Sequence, residues 1–329
     1  MDARLDFTRW SGQPLGVGYR RWVITATGLR QIFRTKFFRF LLFLAWVAGA
    51  ALAAFGFLFS QSIAPGGWLE QLGAKIGPEG EAFVKVFCGY VLLYPDVVIH
   101  GLYTAVFWWQ ADTGLFLSLV AMTVIVPRLV TRDRAGNALT VYLSRPLTSF
   151  DYLVGKFGII VGVLLALWTG PLLFGWVLSM LFAPDTTFVV YSLAPLGQAL
   201  LFNVIGLIVV AALAMGISAL TKTTAYTILL WLGAWLFVLP LGAIPFLPPW
   251  IRSASFSHDL DVVRLEIFRP DVILARVTDM IPLLDHRTLD TMRDFTAQMR
   301  SDNFSWAVGG LVVIVALSSL IFFRRLRPE

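Results

Sequence analysis

The sequence predicts an all-α polytopic membrane protein with six transmembrane helices in a single membrane domain, and three observations predict it. Hydrophobic residues make up 58% of the 329 and charged residues only 14%, with a mean hydropathy of +0.77, which lies outside the range of soluble domains. Apolar runs recur at the length of about 20 residues that a crossing needs, and they place spans at 37–60, 106–127, 157–183, 193–219, 225–247 and 304–323. The charges follow the same division. On this topology 17 of the 26 Lys and Arg but only 5 of the 20 Asp and Glu are cytoplasmic, giving +12 inside against −6 outside. That asymmetry orients a membrane protein with both termini in the cytoplasm and excludes a nucleic-acid partner as the meaning of the net +6.

Each element has its own reason. Met1 to Gly18 carry no apolar core after their charges, so no cleavable signal peptide is expected. From Tyr19 to Arg39, Trp22, Val23, Ala26, Leu29, Ile32 and Phe33 recur at helical spacing between Arg20, Arg21, Arg30, Arg34 and Lys36. Residues 1–36 are therefore read as a cytoplasmic tail and an interfacial elbow helix, held by apolar burial and anionic headgroups. After the first span, Pro65-Gly66-Gly67 breaks the helix, and an outside segment with a helical apolar face follows. It contains Cys88, the one cysteine, which forbids an intrachain disulfide and offers a single thiol for labelling from outside unless deep burial silences it. Pro95-Asp96 and His100 interrupt the next apolar stretch, so the second crossing is expected to begin at 106. Gly170-Pro171 predicts a kink in the third span. The fourth and fifth spans meet in a tight turn at Lys222, and the fifth ends in Pro240, Pro245, Pro248 and Pro249, which predicts a broken or re-entrant segment. Residues 252–303 read as a small extracytoplasmic helical cap, with Val272, Leu274, Val277 and Ile281 marking one short helix.

Between the second and third spans lies a basic island, Pro127 to Lys156. Its order of parts is Arg132-Asp133-Arg134-x-Gly136-x-Ala138-Leu139, then Leu143-Ser144-Arg145-Pro146-Leu147, then Tyr152-Leu153-x-Gly155-Lys156 opening another apolar run. Asn137 to Leu143 has helix potential, and Arg145-Pro146 stops it sharply. Over these residues, and in helix count and order elsewhere, the chain resembles the permease subunits of type-2 ABC exporters, with Asp133 standing where many relatives carry Glu. The resemblance implies a non-enzymatic subunit in the cell inner membrane that pairs with a second permease copy or a paralogue. It also implies a separate ATP-binding cassette ATPase that docks on a cytoplasmic coupling helix, through Arg132, Asp133, Arg134, Asn137, Leu139, Tyr142 and Arg145. An ordinary positively charged loop is the plainer alternative.

No other stretch carries catalytic chemistry. Gly216 to Thr223 misses the phosphate-binding loop because Thr221 stands where glycine is needed before Lys222. No Gly-x-Ser-x-Gly elbow is present. His258-Asp259-Leu260-Asp261 and Asp285-His286 with Asp290 meet no zinc spacing rule, and a solvated polar loop is expected there without metal or cofactor. Gln110, Asp112, Gln198 and Asn203 are polar groups at membrane depth and form a candidate substrate path, although polar glue between helices and, for Asp112, reach to the interface explain them as well. Between Phe157 and Ile251 only Asp185 and Lys222 are charged, so the expected cargo is lipid-like or amphipathic. The alternative class is an ATP-driven mechanical or assembly subunit that acts on a periplasmic partner without transport.

Overall fold

The computed structural model describes residues 16–63, 67–131, 133, 136, 148–183, 185–242, 244, 246–279, 290, 291, 294 and 304–325, and no strand occurs among them. Among the described residues five helices are long and apolar enough to cross a membrane, and the chain is a multi-pass membrane protein.

The basic amphipathic stretch forms α1 (Val17–Phe33), and the chain turns at Arg34 and Thr35 into the first long helix, α2 (Lys36–Ile63). Two short helices follow, α3 (Trp68–Ile76) and α4 (Pro78–Leu93). Gly77 joins them at φ +123°, a conformation that a side chain would strain. Helix α5 (Pro95–Val126) starts well before the expected 106. Pro95 at its first position and Asp96 in its first turn are chemistry that begins a helix, not an interruption of one. A π-turn, Pro127–Thr131, closes it.

Beyond the island come α6 (Ser149–Leu164), a π-turn over Leu165–Thr169, and α7 (Gly170–Leu181). The expected distortion at Gly170-Pro171 is this π-turn, in which the Gly170 amide bonds back to Leu165 O and accommodates the proline. The longest helix is α8 (Thr186–Leu220), continuous through Pro195. After the Lys222 turn, α9 (Thr224–Leu232) runs into a π-turn at Gly233–Phe237 and then only one further turn, α10 (Leu239–Gly242). The run expected at 225–247 is therefore a shorter, broken helix rather than a sixth long one. Helices α11 (Pro249–Arg252), α12 (Phe256–Phe268) and α13 (Pro270–Asp279) follow, and α14 (Phe304–Arg325) is the last long helix.

Helices α5 and α8 form the centre. Trp168, 1% exposed, is wedged between them where both lack a side chain: a β-carbon on Gly114 would lie 2.2 Å from its Cδ1, and one on Gly206 2.4 Å from its Cη2. Phe202 meets Trp168 edge-on at 5.7 Å and Phe268 of α12 at 6.4 Å, while Phe268 meets Trp108 of α5 at 5.7 Å. This aromatic column ties α12 into the bundle. Trp231 donates to Leu119 O at 3.0 Å and fixes α9 against α5. Around the centre, α2 lies against α7 through Gly49 on the Pro171 carbonyl, Gly56 on Ser179 and Leu52 on Gly175. In its most apolar window α5 is 67% buried, whereas α2 and α14 are only 28% and 22% buried. The outer helices leave most of their apolar surface to lipid or to another subunit.

Cys88 is 3% exposed, packed with Val84 and Val91, and burial pushes its thiol pKa up. It is not the accessible label expected from its segment. A maleimide should react with it only after denaturation; reaction at the rate of an open thiol in the folded protein would contradict this packing. Gly206→Val forces a side chain onto Trp168, and overpacking costs about 1–3 kcal/mol. Its unfolding temperature should fall, while Gly197→Ala on the same helix, with open space at its β-carbon, should leave it unchanged.

Candidate functional site

The two ends of the island are fastened to the bundle. At the first end, Asp133 Oδ2 lies 2.7 Å from Lys156 Nζ and accepts a 2.7 Å hydrogen bond from the Tyr152 hydroxyl. The Lys156 ammonium also sits 5.3 Å from the Tyr152 ring centroid. At the second end, Thr148 caps α6: its Oγ1 accepts from the Asp151 amide at 3.1 Å, and Asp151 Oδ2 accepts from the Thr148 amide at 3.2 Å. The reciprocal pair is a capping box with Asp at the third position. Asp151 then uses Oδ1 to receive Arg21 of α1, from Nε at 2.7 Å and from the terminal nitrogen at 2.6 Å, so that both nitrogens converge on one oxygen in a charge-assisted pair.

Helix α1 is more than a surface float. Its contacts with α6 climb in step: Arg21 on Asp151, Thr25 Oγ1 on Gly155 O at 2.9 Å, and Leu29 on Gly162. Gly155, Gly158 and Gly162 leave no room for a β-carbon beneath Ile24, Thr25 and Leu29. Small residues at this spacing let two helices approach closely and gain dispersion contacts.

Behind Asp133 is a knot of hydroxyls. Ser218 Oγ donates to Val126 O at 2.8 Å and accepts from the amides of Val130 at 2.9 Å and Thr131 at 3.2 Å. Thr131 Oγ1 donates to Ser218 O at 2.9 Å and meets Thr227 Oγ1 at 3.1 Å, and Thr221 reaches the same Thr227 hydroxyl. The backbone groups that the π-turn leaves over are thus satisfied by Ser218 of α8.

Of the sequence-predicted coupling residues, Asp133 alone can be located, and its carboxylate is engaged inside the chain. Arg132, Arg134, Asn137, Leu139, Tyr142 and Arg145 lie outside the described residues. The four path residues are not joined: among the described residues no direct bond links any two of them. Gln110 and Asn203 are 1% and 2% exposed, each with its side-chain oxygen lacking a partner among the described residues, and Asn203 Nδ2 is 3.4 Å from Thr169 Oγ1. Gln198 Oε1 also lacks a partner there. Asp112 is held in an ion pair, 2.9 Å from Arg264 of α12.

The larger surprise is α12. Its His258-Asp259-Leu260-Asp261 stretch was expected to be a solvated loop, but Phe256, Leu260, Val263 and Phe268 are buried and Asp259 has no exposed surface. Ser255 as N-cap, with apolar residues at 256, 260, 263 and 267, is the sequence signal that could have found this helix. Arg264 is its hub, 2.9 Å from Asp112 and 3.0 Å from Asp261, with its guanidinium carbon 4.3 Å from the Trp108 ring centroid. Burial raises the Asp261 pKa against the pull of Arg264, and burial pushes Asp259 up to about 7, with Ser253 drawing it back. No group of three His, Cys, Asp or Glu that could hold a metal occurs among the described residues.

Comparison with known proteins adds no identity: no family model matches the chain, and no curated protein matches it.

Asp151→Asn should weaken both the α6 cap and the Arg21 pair. Trypsin should then cut faster at Arg20 and Arg21 of α1 than in the parent protein. Thr148→Ala, which removes one capping partner at a cost of about 1 kcal/mol, should give a smaller increase; unchanged cleavage in both would mean that α1 is held by its glycine contacts alone.

Proposed function

We propose that this chain is the membrane-spanning permease subunit of a type-2 ABC exporter, driven by a separate ATP-binding cassette ATPase. The observation that carries the reading is the fastening of the island at both ends. A motor that pushes the segment between Asp133 and Thr148 acts on α5 through the hydroxyl knot and on α6 through Tyr152, Lys156 and Asp151, and α1 follows through Arg21. The broken α9–α10 stretch serves as the fifth of six crossings, with its irregular backbone shielded by α12. Both termini and the island then face the cytoplasm of a cell whose inner membrane holds the protein, and a second permease copy or a paralogue covers the poorly buried α2 and α14. The chain performs no catalysis of its own. Its cargo is lipid-like or amphipathic, because the helices offer apolar and aromatic contacts and scarcely any charge.

The mechanical alternative has one observation in its favour. Helix α4 presents Phe83, Val86 and Leu93 at 73%, 62% and 68% exposure, an apolar face suited to a periplasmic partner as well as to lipid.

Asp133 is a poor probe of motor docking, since replacing it unpairs Lys156 inside the chain. The double variant Arg132→Glu, Arg134→Glu is the better test. The parent protein, purified from its native membrane, should bring with it an ATPase whose hydrolysis is stimulated by the complex, and the double variant should lose that ATPase while keeping its unfolding temperature. No co-purifying ATPase would sink the exporter reading. An ATPase without ATP-dependent movement of a fluorescent amphiphile in reconstituted vesicles would select the mechanical one.

A further inference from the structure

The buried carboxyl of Asp259 is not used by any coupling or path contact described above. It faces a cavity of about 10 Å³ walled by Arg252, Ser253, His258 and Val262 on one side and by Trp306 and Ala307 of α14 on the other. That is room for about one water. The Ser253 side chain is the one donor that draws on this carboxyl, and neither carboxyl oxygen makes a hydrogen bond of full geometry among the described residues. Helix α14 reaches this carboxyl through a glycine. A β-carbon on Gly310 would lie 2.4 Å from Asp259 Oδ2 and 2.9 Å from the Ser253 carbonyl oxygen, so both oxygens crowd one point on α14.

A carboxylate set beside a backbone carbonyl oxygen without solvent is unfavourable, because the Ser253 hydroxyl alone stands in for the water it has lost. A protonated carboxyl has an O–H to donate and removes the charge. We infer that Asp259 is a proton-binding site that latches α12 onto the last long helix: protonated, it seats against Gly310, and ionised, it draws water into the cavity and loosens the seat. The raised pKa of Asp259 agrees with this.

The surrounding charges have defined effects. Arg252 across the cavity favours the ionised form, and so does His258 when it becomes cationic in acid. Asp261 disfavours it, but Asp261 and Asp112 are both engaged by Arg264. Helix α8 carries no Asp, Glu, His, Lys or Arg and has only the phenol of Tyr191, α10 has no ionisable residue, and α14 has only Arg324 and Arg325 at its far end. The seated state binds a proton that the open state releases at an ordinary aspartate pKa of about 3.9. Seating is therefore strongest in acid, weakens by up to about tenfold per pH unit as pH rises, and levels off above about 7. The latch is independent of whether the chain exports a cargo.

Hydrogen–deuterium exchange of the full chain in lipid nanodiscs, corrected for intrinsic rates, reads the opening of α12 directly. Opening should rise from pH 5.5 to pH 7 and then flatten. Asp259→Asn, which keeps the uncharged form, should remove the rise, and His258→Gln should keep it. A rise that survives Asp259→Asn, one that vanishes in His258→Gln, or a flat parent profile would overturn the latch. Should Asp259→Asn fail to fold, infrared spectra of the parent protein still decide: a protonated carboxyl C=O band that disappears as pH is raised through neutrality supports the site, and its absence overturns it.

Discussion

One serine closes the framework on the island side. Ser218 takes the two amides that the π-turn after α5 leaves over and returns its own proton to Val126 O, so a single hydroxyl serves three backbone groups from another helix. Within lipid such groups have no water to turn to, and each left unmade costs about 1–3 kcal/mol. The π-turn creates the need and α8 answers it. Thr131, Thr221 and Thr227 extend the same bonding to the start of α9, so three helices end at one polar node directly behind Asp133.

The rest of the bundle is assembled by shape rather than by polarity. Lipid tails are as apolar as leucine, so helix pairs gain little from hiding hydrophobic surface and must gain from close contact instead. Hence Gly155, Gly158 and Gly162 under α1, Gly49 and Gly56 of α2 against α7, and Gly114 and Gly206 clasping Trp168. Each pair places a small residue where the neighbour is large or where its backbone comes close. The hydrogen bonds of Trp46 to Ala166 O and of Trp231 to Leu119 O add direction to contacts that dispersion alone would leave free to slide.

What was legible in the sequence follows from which signals are local. Hydropathy reports length and composition, so the long helices could be read within a few residues at most of their ends. Prolines disturb their own neighbourhood, so the breaks near Gly170 and after Phe237 were legible too. Pro95-Asp96 misled because the same pair can end one helix or begin another, and only the packing of Ile99, Tyr103 and Phe107 into the core decides which. Helix α12 was obscured by its composition: Asp259, Asp261, Arg264 and Glu266 make it look solvated, yet Arg264 joins Asp261 to Asp112 and the apolar stripe between them is buried. The partners of Asp133 and Asp151 were beyond reach, since a pairing such as Arg21 with Asp151 spans 130 residues and leaves no periodic trace.

These pairings change how the island would transmit force on the proposed reading. Had Asp133 been an open handle, a docked partner would pull on one charged side chain at the mouth of α5. Instead the carboxylate bridges from the end of α5 to Tyr152 and Lys156 of α6, and one turn away Asp151 bridges from α6 to α1. Lys156 and Asp133 are only 11% and 19% exposed, and separating such a pair strands a partly buried charge. The three helices are therefore tied to one another at this end. On the proposed reading, a push arriving between residues 133 and 148 would reach three helices tied to one another, and the bundle would answer it where it is least fastened: at the poorly buried α2 and α14, and along the π-turns at 165–169 and 233–237, where the regular hydrogen-bond ladder is already interrupted.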